Sequence, residues 1–537
     1  MEFQSHGWIR GRQNNMKPTF RQHNVLILFT DMQRADTIRA LGNPHIRTPN
    51  LDRLVNEGYA FTSCYSPSPV CVPARCCMHY GLYPQKTGLF DNGRMLDDNG
   101  ASYPEVLGRN GYRTHAIGKC HFTPDTRALR GFQSRQSQEE VTSDPETDDY
   151  VAWLRDHRYD YYEPHGPRGQ MYYIPQVSSL PAEAHPSQWI GTESVRWIRE
   201  AAGGAQPWCL FSSFIHPHPP FALPKPWHKL YRAADMPLPL FPADSAHLHT
   251  WINRQQNRCK HRDRGQDLNL LRLIKAYYYG AISFVDYQVG RIFRTLEEID
   301  ALDNTLILFT SDHGEHLGDF GCFGKRSMHD ASARVPMLAR LPSRFPPGRT
   351  CPTATSLCDL YPTVLGACGL SPEGLDLDGR DLAEIAATPE PTRTVYSQFA
   401  EGGKAIYMAA NTAWKYVYSA GDHAEWLFDR RSDPSETRNL ARSPDGKDPK
   451  RELKQRLLQH LEATGRTEAF TGRGRSLSWR RHPRIDEAYL EDPDAALMTQ
   501  DYPSYPTNLP GYTAPKPEPA PGSDVDSREK GNQRQTP

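Results

Sequence analysis

The sequence lacks an excess of charge of either sign, since its 537 residues contain 63 Lys plus Arg and 63 Asp plus Glu. A balanced charge gives no long-range attraction to nucleic acid or to an acidic membrane, so we expect neither as a partner. It also lacks any apolar run approaching the roughly 20 residues that span a bilayer. The first 20 residues, MEFQSHGWIRGRQNNMKPTF, contain no apolar stretch typical of a secretory signal, which predicts a cytoplasmic protein.

Cysteines are few and odd in number. There are 11, and in a chain without a secretory signal this disfavours a disulfide framework. Three of them nevertheless lie close together, as Cys71, Cys76 and Cys77 in SPSPVCVPARCCMHYGLYP (residues 66–84). No second pair of cysteines or histidines at zinc spacing lies nearby. The run is therefore either a core segment or contains a cysteine with a chemical role.

Two distant stretches have nearly the same text. NVLILFTD (24–31) and NTLILFTSD (304–312) are apolar runs typical of strands buried in a parallel sheet, and they end in Asp31 and Asp312. A third apolar run, WCLFSSF (208–214), leads to His218. Because ligands of open α/β sheets bind beyond the carboxyl ends of the strands, we expect these ends to meet in one site.

Strands alternate with helical patterns in the first two thirds of the chain, for example at 49–57 and 187–200, which predicts a doubly wound α/β domain. Short aromatic strands then predict a small antiparallel sheet, followed by a helix with Asp448 as its N-cap. The predicted division is a flexible N-terminus (1–22), a catalytic domain (23–375), a small C-terminal α+β subdomain (376–484) and a Pro-rich disordered tail (485–537).

Three side chains at the predicted strand ends are candidate metal ligands. Asp31, Asp312 and His313 supply carboxylate oxygens and one imidazole. Such an oxygen-rich set suits Ca²⁺, Mg²⁺ or Mn²⁺ better than zinc held by thiolates. A single aspartate at a strand end is more often a turn former or a helix cap, so the hypothesis depends on the two matching strands together.

Several motifs occur in an order that resembles one family. CVPAR (71–75) matches the C-x-P-x-R signature of the type I sulfatases of the alkaline phosphatase-like superfamily. The resemblance extends over residues 24–465. The further motifs that are similar to the family are GLYPQKTG (81–88), IGKCHF (117–122), HPHPPF (216–221), SDHGEHLGDFGCFGKRSMHD (311–330), RVPMLARLP (334–342) and FDRRSDPSETRNLA (428–441). Ordered motifs of compatible chemistry are far more specific than CxPxR alone.

The resemblance implies a sulfatase fold, with a large mostly parallel sheet flanked by helices and a smaller C-terminal antiparallel sheet with a helix. It implies a sulfuric ester hydrolase in which Cys71 is oxidised to formylglycine (3-oxoalanine) by a separate formylglycine-generating enzyme. Pro73 and Arg75 would belong to the modification signal, and Arg75 would also stabilise the modified residue. One divalent ion, Ca²⁺ before Mg²⁺ or Mn²⁺, would be held by Asp31, Asp312, His313 and residue 71.

Further roles follow from the matched motifs. By resemblance, Lys119 and His121 would contact the sulfate and residue 71, and His218 would protonate the leaving alcohol. Lys325 would stabilise charge on the sulfuryl oxygens, and Asn92 would touch the substrate or the metal shell. Cys76 and Cys77 are predicted to be core residues of the helix after Cys71.

The sequence departs from the family pattern at two positions. Met32 stands where many relatives have a second acidic or amide residue, and a thioether is a poor ligand for a hard cation. The metal site is therefore expected to use fewer protein ligands or another oxygen donor. Tyr80 replaces a threonine that is common after the signature, which could reduce recognition by the modifying enzyme.

The substrate and one competing function stay open. The insertion at 150–175 is dense in aromatic side chains, Arg and His, which favours a sulfated carbohydrate as substrate, although packing explains those tyrosines equally well. The alternative enzyme is a phosphonate or phosphate ester hydrolase of the same superfamily. A catalytically silent sulfatase-like binding protein is the third hypothesis, but the intact CVPAR and the Asp312-His313 pair disfavour it.

Overall fold

The computed structural model describes residues 22–97, 99–140, 144–159, 164–167, 172–260 and 267–486. The predicted flexible N-terminus (up to residue 21) and the predicted Pro-rich tail (from residue 487) lie outside these residues. Among the helices of the described part, none combines the length and the apolar character that crossing a membrane requires.

The described residues form strands and helices that alternate along most of the chain. The strands are β1 (Asn24–Asp31), β2 (Tyr59–Phe61), β3 (Cys64–Tyr65), β4 (Arg113–Gly118), β5 (Ser134–Ser137), β6 (Gln176–Val177), β7 (Trp208–Pro217), β8 (Ala222–Leu223), β9 (Thr305–Ser311), β10 (Arg334–Val335), β11 (Met337–Arg340), β12 (Arg349–Cys351), β13 (Thr355–Ser356), β14 (Val395–Phe399), β15 (Ile406–Ala410), β16 (Trp414–Ser419), β17 (Ala424–Asp429), β18 (Phe470–Thr471) and β19 (Ser478–Trp479). The α-helices are α1 (Pro49–Glu57), α2 (Cys71–Tyr80), α3 (Pro84–Thr87), α4 (Tyr103–Arg109), α5 (Asp149–Asp156), α6 (Pro186–Ala202), α7 (Trp251–Lys260), α8 (Leu268–Glu298), α9 (Asp330–Ala333), α10 (Leu360–Ala367), α11 (Leu382–Ala387) and α12 (Lys447–Ala463).

A central sheet of eight strands has the order β12-β2-β11-β9-β1-β7-β4-β5. β1 pairs in parallel with both β7 and β9, and β4 continues the parallel arrangement between β7 and β5. β11 runs antiparallel to both of its neighbours, β9 and β2. Because β1 lies between β9 and β7, the segments that follow these three strands emerge side by side at one edge of the sheet.

The two faces of the central sheet carry separate apolar layers. Val25, Ile27 and Phe29 of β1 pack with residues of α2, α4 and α10. The alternate residues Leu26 and Leu28 pack on the opposite face with residues of α1, α6 and α8. Since successive side chains of a strand point to opposite faces, the continuous apolar text of β1 is buried on both sides. The sheet and its flanking helices confirm the predicted α/β class.

A smaller antiparallel sheet follows, with the order β14-β15-β16-β17. One face packs against α12 through Leu453, Leu457 and Leu461. This confirms the predicted small sheet with a helix. The predicted N-cap is wrong: α12 begins at Lys447, and Gly446 is the cap. A short 3-10 turn at Pro444–Gly446 leads directly into the helix, and Asp448 in its first turn pairs instead with Arg451 at 2.9 Å.

Candidate active site

Polar side chains from three neighbouring strand ends lie together at the carboxyl edge of the central sheet. Asp31 is the last residue of β1, and Asp312 and His313 directly follow β9. The carboxylates of Asp31 and Asp312 and the imidazole of His313 are all fully buried. The two matching strand texts therefore bring their terminal acids to one place, as the sequence predicts.

Cys71 joins this cluster from the opposite side, as the first residue of α2. Its Sγ lies 3.3 Å from His313 Nε2 and 3.8 Å from an Asp31 oxygen. One ligand atom from each of Asp31, Cys71, Asp312 and His313 can be chosen so that all four lie within 4.8 Å of one another. Extended backbone at Val70 precedes the helix, so the chain turns at Cys71 and places the thiol in the cluster.

Arg75, one helical turn after Cys71, binds the two acids together. Its Nη2 donates to Asp31 at 3.0 Å and its Nε donates to Asp312 at 3.1 Å. The guanidinium also lies over the ring of Phe29, with 4.8 Å between its central carbon and the ring centroid. A planar group with several donors suits this bridge better than a lysine ammonium.

Lys119 enters the site directly after β4. Its Nζ lies 2.7 Å from an Asp31 oxygen and 2.5 Å from Glu140 Oε2. Gly118 before it has a φ of +92°, and a Cβ there would lie 2.0 Å from the carbonyl oxygen of Ser213. Only glycine fits this close approach, so the turn that directs Lys119 into the site depends on it.

His218 lies beyond β7 and faces the same region. Its Nε2 is 3.4 Å from Glu140 Oε1 and 3.5 Å from the hydroxyl of Tyr172. Its Nδ1 is 2.6 Å from the carbonyl oxygen of Pro219, so a proton on Nδ1 would be held there. Glu140 thus joins Lys119 and His218 through its two oxygens.

Lys325 completes the cationic side of the site. Its Nζ lies 2.8 Å from Cys71 Sγ and 4.0 Å from Met32 Sδ. Met32 has a φ of +64°, and its backbone N–H donates to Asp312 Oδ1 at 3.0 Å. Met32 therefore contributes its backbone to the site, while the described candidate ligands include only the two carboxylates of Asp31 and Asp312.

The surrounding charges control protonation in the cluster. Burial alone would raise the pKa of Asp31, but Lys119, His218, Arg75 and Lys325 hold it well below its usual value. Burial and the Asp31 carboxylate would raise the pKa of the Cys71 thiol, yet Lys325, Lys119 and His313 hold that pKa well below its usual value. Burial, together with the Asp31 charge, raises the pKa of Asp312.

Two further predicted site residues lie next to the cluster. Asn92 Oδ1 accepts the N–H of Val72 at 3.1 Å, so its side chain holds the first turn of α2 beside Cys71. The backbone N–H of His121 donates to the Glu139 carboxylate at 3.2 Å. His121 itself lies in the left-handed region, with a φ of +54°. The predicted contact of His121 with substrate stays a prediction.

The remaining residues that the sequence singles out have packing roles. Cys76 and Cys77 are fully buried in apolar clusters on α2, which confirms their assignment to the core. Tyr150, at the start of the aromatic insertion, is fully buried and packs with α6, and its hydroxyl donates to the carbonyl oxygen of Ala184 at 2.8 Å. Part of the insertion (residues 160–163 and 168–171) lies outside the described residues.

Glu140 and Tyr172 contact site residues although no sequence motif indicates them. Glu140 stands in QSQEEVTSD, a polar stretch without a recognisable motif. Tyr172 belongs to the aromatic insertion, whose composition alone does not distinguish the tyrosine beside His218 from the buried Tyr150.

The chemistry of the donor set fits one divalent cation. Two carboxylates and an imidazole converge on one point together with the side chain of residue 71. His313 Nδ1 is 3.0 Å from the carbonyl oxygen of Gly314, which fixes the ring and leaves Nε2 facing the cluster. Oxygen donors in the majority favour a hard ion. Arg75 and Lys119 already compensate much of the carboxylate charge, so the site has little excess negative charge.

Two protein-family models match the chain. The model described as "Sulfatase" matches residues 23–370. The model described as "N-sulphoglucosamine sulphohydrolase, C-terminal" matches residues 318–463. Together they cover the central sheet, the cluster of Asp31, Cys71, Asp312 and His313, the small C-terminal sheet and α12.

Individual proteins match over most of their length. An arylsulfatase of Clostridium perfringens is 29% identical over 85% of this chain and 96% of its own. A choline-sulfatase of Rhizobium meliloti is 31% identical over 79% of this chain and 83% of its own. Among solved structures, a phosphonate monoester hydrolase of Agrobacterium radiobacter is 25% identical and superposes with a TM-score of 0.72, covering 86% of this chain and 100% of that chain.

Proposed function

Because the chain belongs to the sulfatase family, we propose that it hydrolyses sulfate monoesters with residue 71 in the oxidised formylglycine form. The membership confirms the predicted family and the predicted enzyme class, the sulfuric ester hydrolases. The observation that carries the mechanism is the position of Cys71. Its Sγ lies among Asp31, Asp312 and His313 and 2.8 Å from Lys325 Nζ.

Residue 71 supplies the nucleophile in this proposal. Oxidation of the Cys71 thiol would require a formylglycine-generating enzyme as a maturation partner, and the hydrated aldehyde would supply the attacking oxygen. The free thiol already lies at the first turn of α2, and Pro73 and Arg75 follow it in the same helix. Asn92 positions the same turn by accepting the N–H of Val72.

Asp31, Asp312, His313 and residue 71 would hold one divalent ion, which we propose to be Ca²⁺, with Mg²⁺ or Mn²⁺ as alternatives. The bound ion would supply Lewis acidity and positive charge beside the sulfate. Arg75 keeps the two carboxylates in place, since its guanidinium donates to both. The two acids are thus preorganised as ligands.

The sulfate group would be bound by cations of the chain itself. Lys119 and Lys325 face the cluster from two sides and are buried, so their charges are poorly screened by water. Lys325 is the nearer of the two to residue 71 and would stabilise the charge that develops on the sulfuryl oxygens. His121 would extend this set, as the family motif IGKCHF implies.

His218 would protonate the leaving alcohol oxygen. It is buried, and Pro219 fixes its Nδ1, so Nε2 is the nitrogen that faces Glu140 and Tyr172. Glu140 Oε1 lies 3.4 Å from this nitrogen and would orient the imidazole for proton transfer. The hydroxyl of Tyr172 lies 3.5 Å from His218 Nε2 and would contact the leaving group. Tyr172 belongs to the aromatic insertion at 150–175, whose composition favours a sulfated carbohydrate as the substrate.

The direct test is hydrolysis of 4-nitrophenyl sulfate by protein coexpressed with a formylglycine-generating enzyme. The Cys71→Ala and Asp312→Ala variants are expected to lose at least ~10³-fold in kcat/KM while their circular dichroism is unchanged. Cys76→Ala is the matched control on the same helix and should keep its activity. Turnover by purified Cys71→Ala protein at the wild-type rate would refute the mechanism.

A second test separates the role of His218 from general binding. His218→Ala should lose at least ~10²-fold on alkyl sulfates, whose alkoxide leaving groups need a proton. The same variant should lose much less on 4-nitrophenyl sulfate, because nitrophenolate leaves without protonation. Equal losses on both esters would contradict the assignment of His218 as the acid.

The alternative activity is the hydrolysis of phosphonate monoesters with the same residues. It is favoured by one observation, the similarity to the Agrobacterium radiobacter phosphonate monoester hydrolase over all of that chain. Comparison of kcat/KM for 4-nitrophenyl sulfate and 4-nitrophenyl phenylphosphonate decides between them. A higher value for the sulfate supports our proposal, and a higher value for the phosphonate supports the alternative. A mature protein inactive on both would indicate a silent binding protein.

A further inference from the structure

A cavity beside the small C-terminal sheet lies apart from the cluster around Cys71. Its volume is about 540 Å³, and its walls include residues of β16, β17 and α12 together with the segments 439–442 and 478–481. None of the residues placed around Cys71 lines it. A volume of this size lies within the range of ordinary small-molecule sites.

Positive charge is in excess on the walls of this cavity. Four cationic side chains line it, those of Arg442, Lys450, Lys454 and Arg481, against the single carboxylate of Glu425. With the histidines neutral, as is usual at pH 7, the walls carry an excess of three positive charges. A recess lined by charges of one sign concentrates ions of the opposite sign. The cavity is therefore suited to an anion.

The one carboxylate of the cavity is already fully engaged. Glu425 Oε1 accepts hydrogen bonds from Lys454 Nζ at 2.8 Å and from the Tyr416 hydroxyl at 2.7 Å. Its Oε2 lies 3.6 Å from Lys450 Nζ. Burial raises the pKa of Glu425, but the hydrogen bonds from Lys454 and Tyr416 hold that pKa below its ordinary value. Glu425 is thus ionised and balances the charge of one lysine, which leaves the other three cations uncompensated.

Two of the four cations have no acceptor in the described part of the chain. Arg442 and Arg481 are exposed, and no hydrogen bond or ion pair among the described residues involves either guanidinium. Single exposed arginines of this kind are usually only solvated, but these two border the same cavity as Lys450 and Lys454. The planar donor fork of a guanidinium fits two oxygens of a sulfate or a phosphate group.

The segments that carry the two arginines are fixed against the sheet. The side chain of Asn439 accepts the N–H of Ala441 at 3.0 Å and donates to the carbonyl oxygen of Glu425 at 3.1 Å. The ring of Trp479 stacks on that of Tyr418, with 4.1 Å between the centroids. The cations therefore extend from an ordered frame, so a ligand would not have to order the backbone around it.

We propose that this cavity binds a small polyanion, a ligand with at least two sulfate or phosphate groups, through Arg442 and Arg481 together with Lys450 and Lys454. Two groups are needed because a single sulfate ester carries one negative charge and would leave most of the excess uncompensated. The site is separate from the candidate active site and goes beyond the proposed sulfatase activity. It does not require residue 71 to be modified, so binding can be measured on protein that has no formylglycine.

The experiment is isothermal titration of the full chain with sucrose octasulfate, comparing wild type with the double variant Arg442→Gln/Arg481→Gln. Both positions are exposed, so the variant should fold, and we expect at least ~10-fold weaker binding from the loss of two charge-assisted contacts. Arg294→Gln/Arg349→Gln is the matched control, since it removes two exposed arginines that do not line the cavity. It should bind as wild type does. Equal affinities of the two double variants would overturn the proposal.

Further titrations define where the probe binds and what it must carry. Lys325→Ala, in the cluster around Cys71, should keep a site of wild-type affinity, and loss of binding in this variant alone would overturn the proposal. Inorganic sulfate binding as tightly as sucrose octasulfate would overturn the need for several anionic groups. Comparison with inositol hexakisphosphate distinguishes the two kinds of ester, because the tighter of the two probes identifies the ligand class.

A chemical readout on the wild-type protein tests the same site without a substitution. Sucrose octasulfate should slow the acetylation of Lys450 and Lys454, followed by peptide mass spectrometry, and leave the acetylation of the exposed Lys229 unchanged. The protection should weaken as NaCl is raised from about 0.05 M to about 0.3 M, because salt screens partly exposed charges. Absence of protection, or protection that does not depend on salt, would overturn the site.

Discussion

Arg75 is the residue that links the two acids of the proposed metal site. It donates to Asp31 and to Asp312, and also to the carbonyl oxygen of Lys119 at 2.5 Å and the hydroxyl of Ser213 at 3.1 Å. These partners lie in or directly after four different strands, β1, β9, β4 and β7. Because the guanidinium is buried, these contacts replace the hydrogen bonds that water would otherwise supply to it.

Replacement of Arg75 by Met should therefore damage both stability and activity. The change leaves two carboxylates buried without their shared cation, so we expect a loss of about 3–5 kcal/mol in the free energy of unfolding. Urea denaturation measures it, and activity should fall below detection. Arg109→Met, at an exposed arginine on α4, is the control and should shift stability by no more than about 0.5 kcal/mol. A wild-type unfolding midpoint for Arg75→Met would contradict this role.

At the residue scale, the sequence predicted the groups at strand ends well and the groups between motifs poorly. Asp31 and Asp312 could be found because parallel strands deliver their ends to one edge. Glu140 could not, because its contacts with Lys119 and His218 arise only when distant segments meet. Met32 illustrates a third case, since its side-chain chemistry suggested a gap in the ligand set while its backbone N–H is the group that contacts Asp312.

At the element scale, the start of α2 determines where residue 71 points. Val70 provides no side-chain cap, and Asn92 accepts the N–H of Val72 from another part of the chain. Asn92→Ala should therefore cost about 1 kcal/mol in unfolding free energy, as loss of a helix cap does. It should also lower kcat, because residue 71 is less well positioned. Asn92→Asp, which keeps the acceptor, should recover the stability, and its failure to do so would contradict the capping role.

α2 also carries a buried histidine that should make the fold sensitive to acid. His79 is 2% exposed, and its Nε2 is 2.6 Å from the carbonyl oxygen of Arg130. Burial lowers its pKa to about 4, although the Arg130 carbonyl opposes that shift. The folded pKa lies below the ordinary value near 6.5. The contribution of His79 to the free energy of unfolding is therefore complete above pH 6.5 and is lost as the pH falls from 6.5 toward 4.

We expect this one group to remove about 2 kcal/mol of unfolding free energy between pH 7.5 and pH 5. Urea denaturation of wild type and His79→Phe at the two pH values tests it. The variant should show a smaller decrease, because phenylalanine does not titrate. His45→Phe, at an exposed histidine, should retain the wild-type decrease. Equal pH dependence in wild type and His79→Phe would refute the prediction.

The boundaries of elements were predictable where a local signal dominates. α1 begins at Pro49 and ends at Glu57, as the apolar spacing and the proline at its start predict. The start of α12 was not predictable, because the preceding turn at Pro444–Gly446 continues into the helix before the expected cap at Asp448. Local cap preferences are weak compared with such a continuous turn.

At the scale of the whole molecule, Lys415 connects the C-terminal sheet to the loop of residues 325–330, which begins at the candidate site residue Lys325. It lies on β16, and its Nζ donates to the carbonyl oxygen of Met328 at 2.6 Å and to Asp330 at 2.8 Å. It also pairs with Glu436. Met328 and Asp330 follow Lys325 closely in the chain, so this buried lysine holds the loop that carries Lys325, the proposed sulfate-binding cation.

Lys415→Met should therefore reduce activity although residue 415 lies outside the proposed site. We expect a loss of about 3–5 kcal/mol in stability, because Asp330 and Glu436 lose their shared cation. At temperatures where the variant is folded, kcat/KM for 4-nitrophenyl sulfate should be at least ~10-fold lower. Lys404→Met, at an exposed lysine before β15, is the control. Wild-type kcat/KM in folded Lys415→Met would show that the sheet does not position the loop.

The overall architecture was predictable because its strongest signals are local. Continuous apolar strands alternating with helices specify a parallel sheet, and short alternating aromatic strands specify the C-terminal sheet. The antiparallel direction of β11 within the central sheet was not predicted, because it depends on the path of the connection between β9 and β11. The domain boundaries at 375 and 484 stay predictions.

The central claim is that residue 71 is the precursor of the nucleophile. Peptide mass spectrometry of residues 66–84, from full-length protein coexpressed with a formylglycine-generating enzyme, tests it most directly. The account predicts an aldehyde at position 71 and unmodified thiols at Cys76 and Cys77. An unmodified Cys71 would contradict it, provided that a control sulfatase peptide is converted to the aldehyde in the same cells.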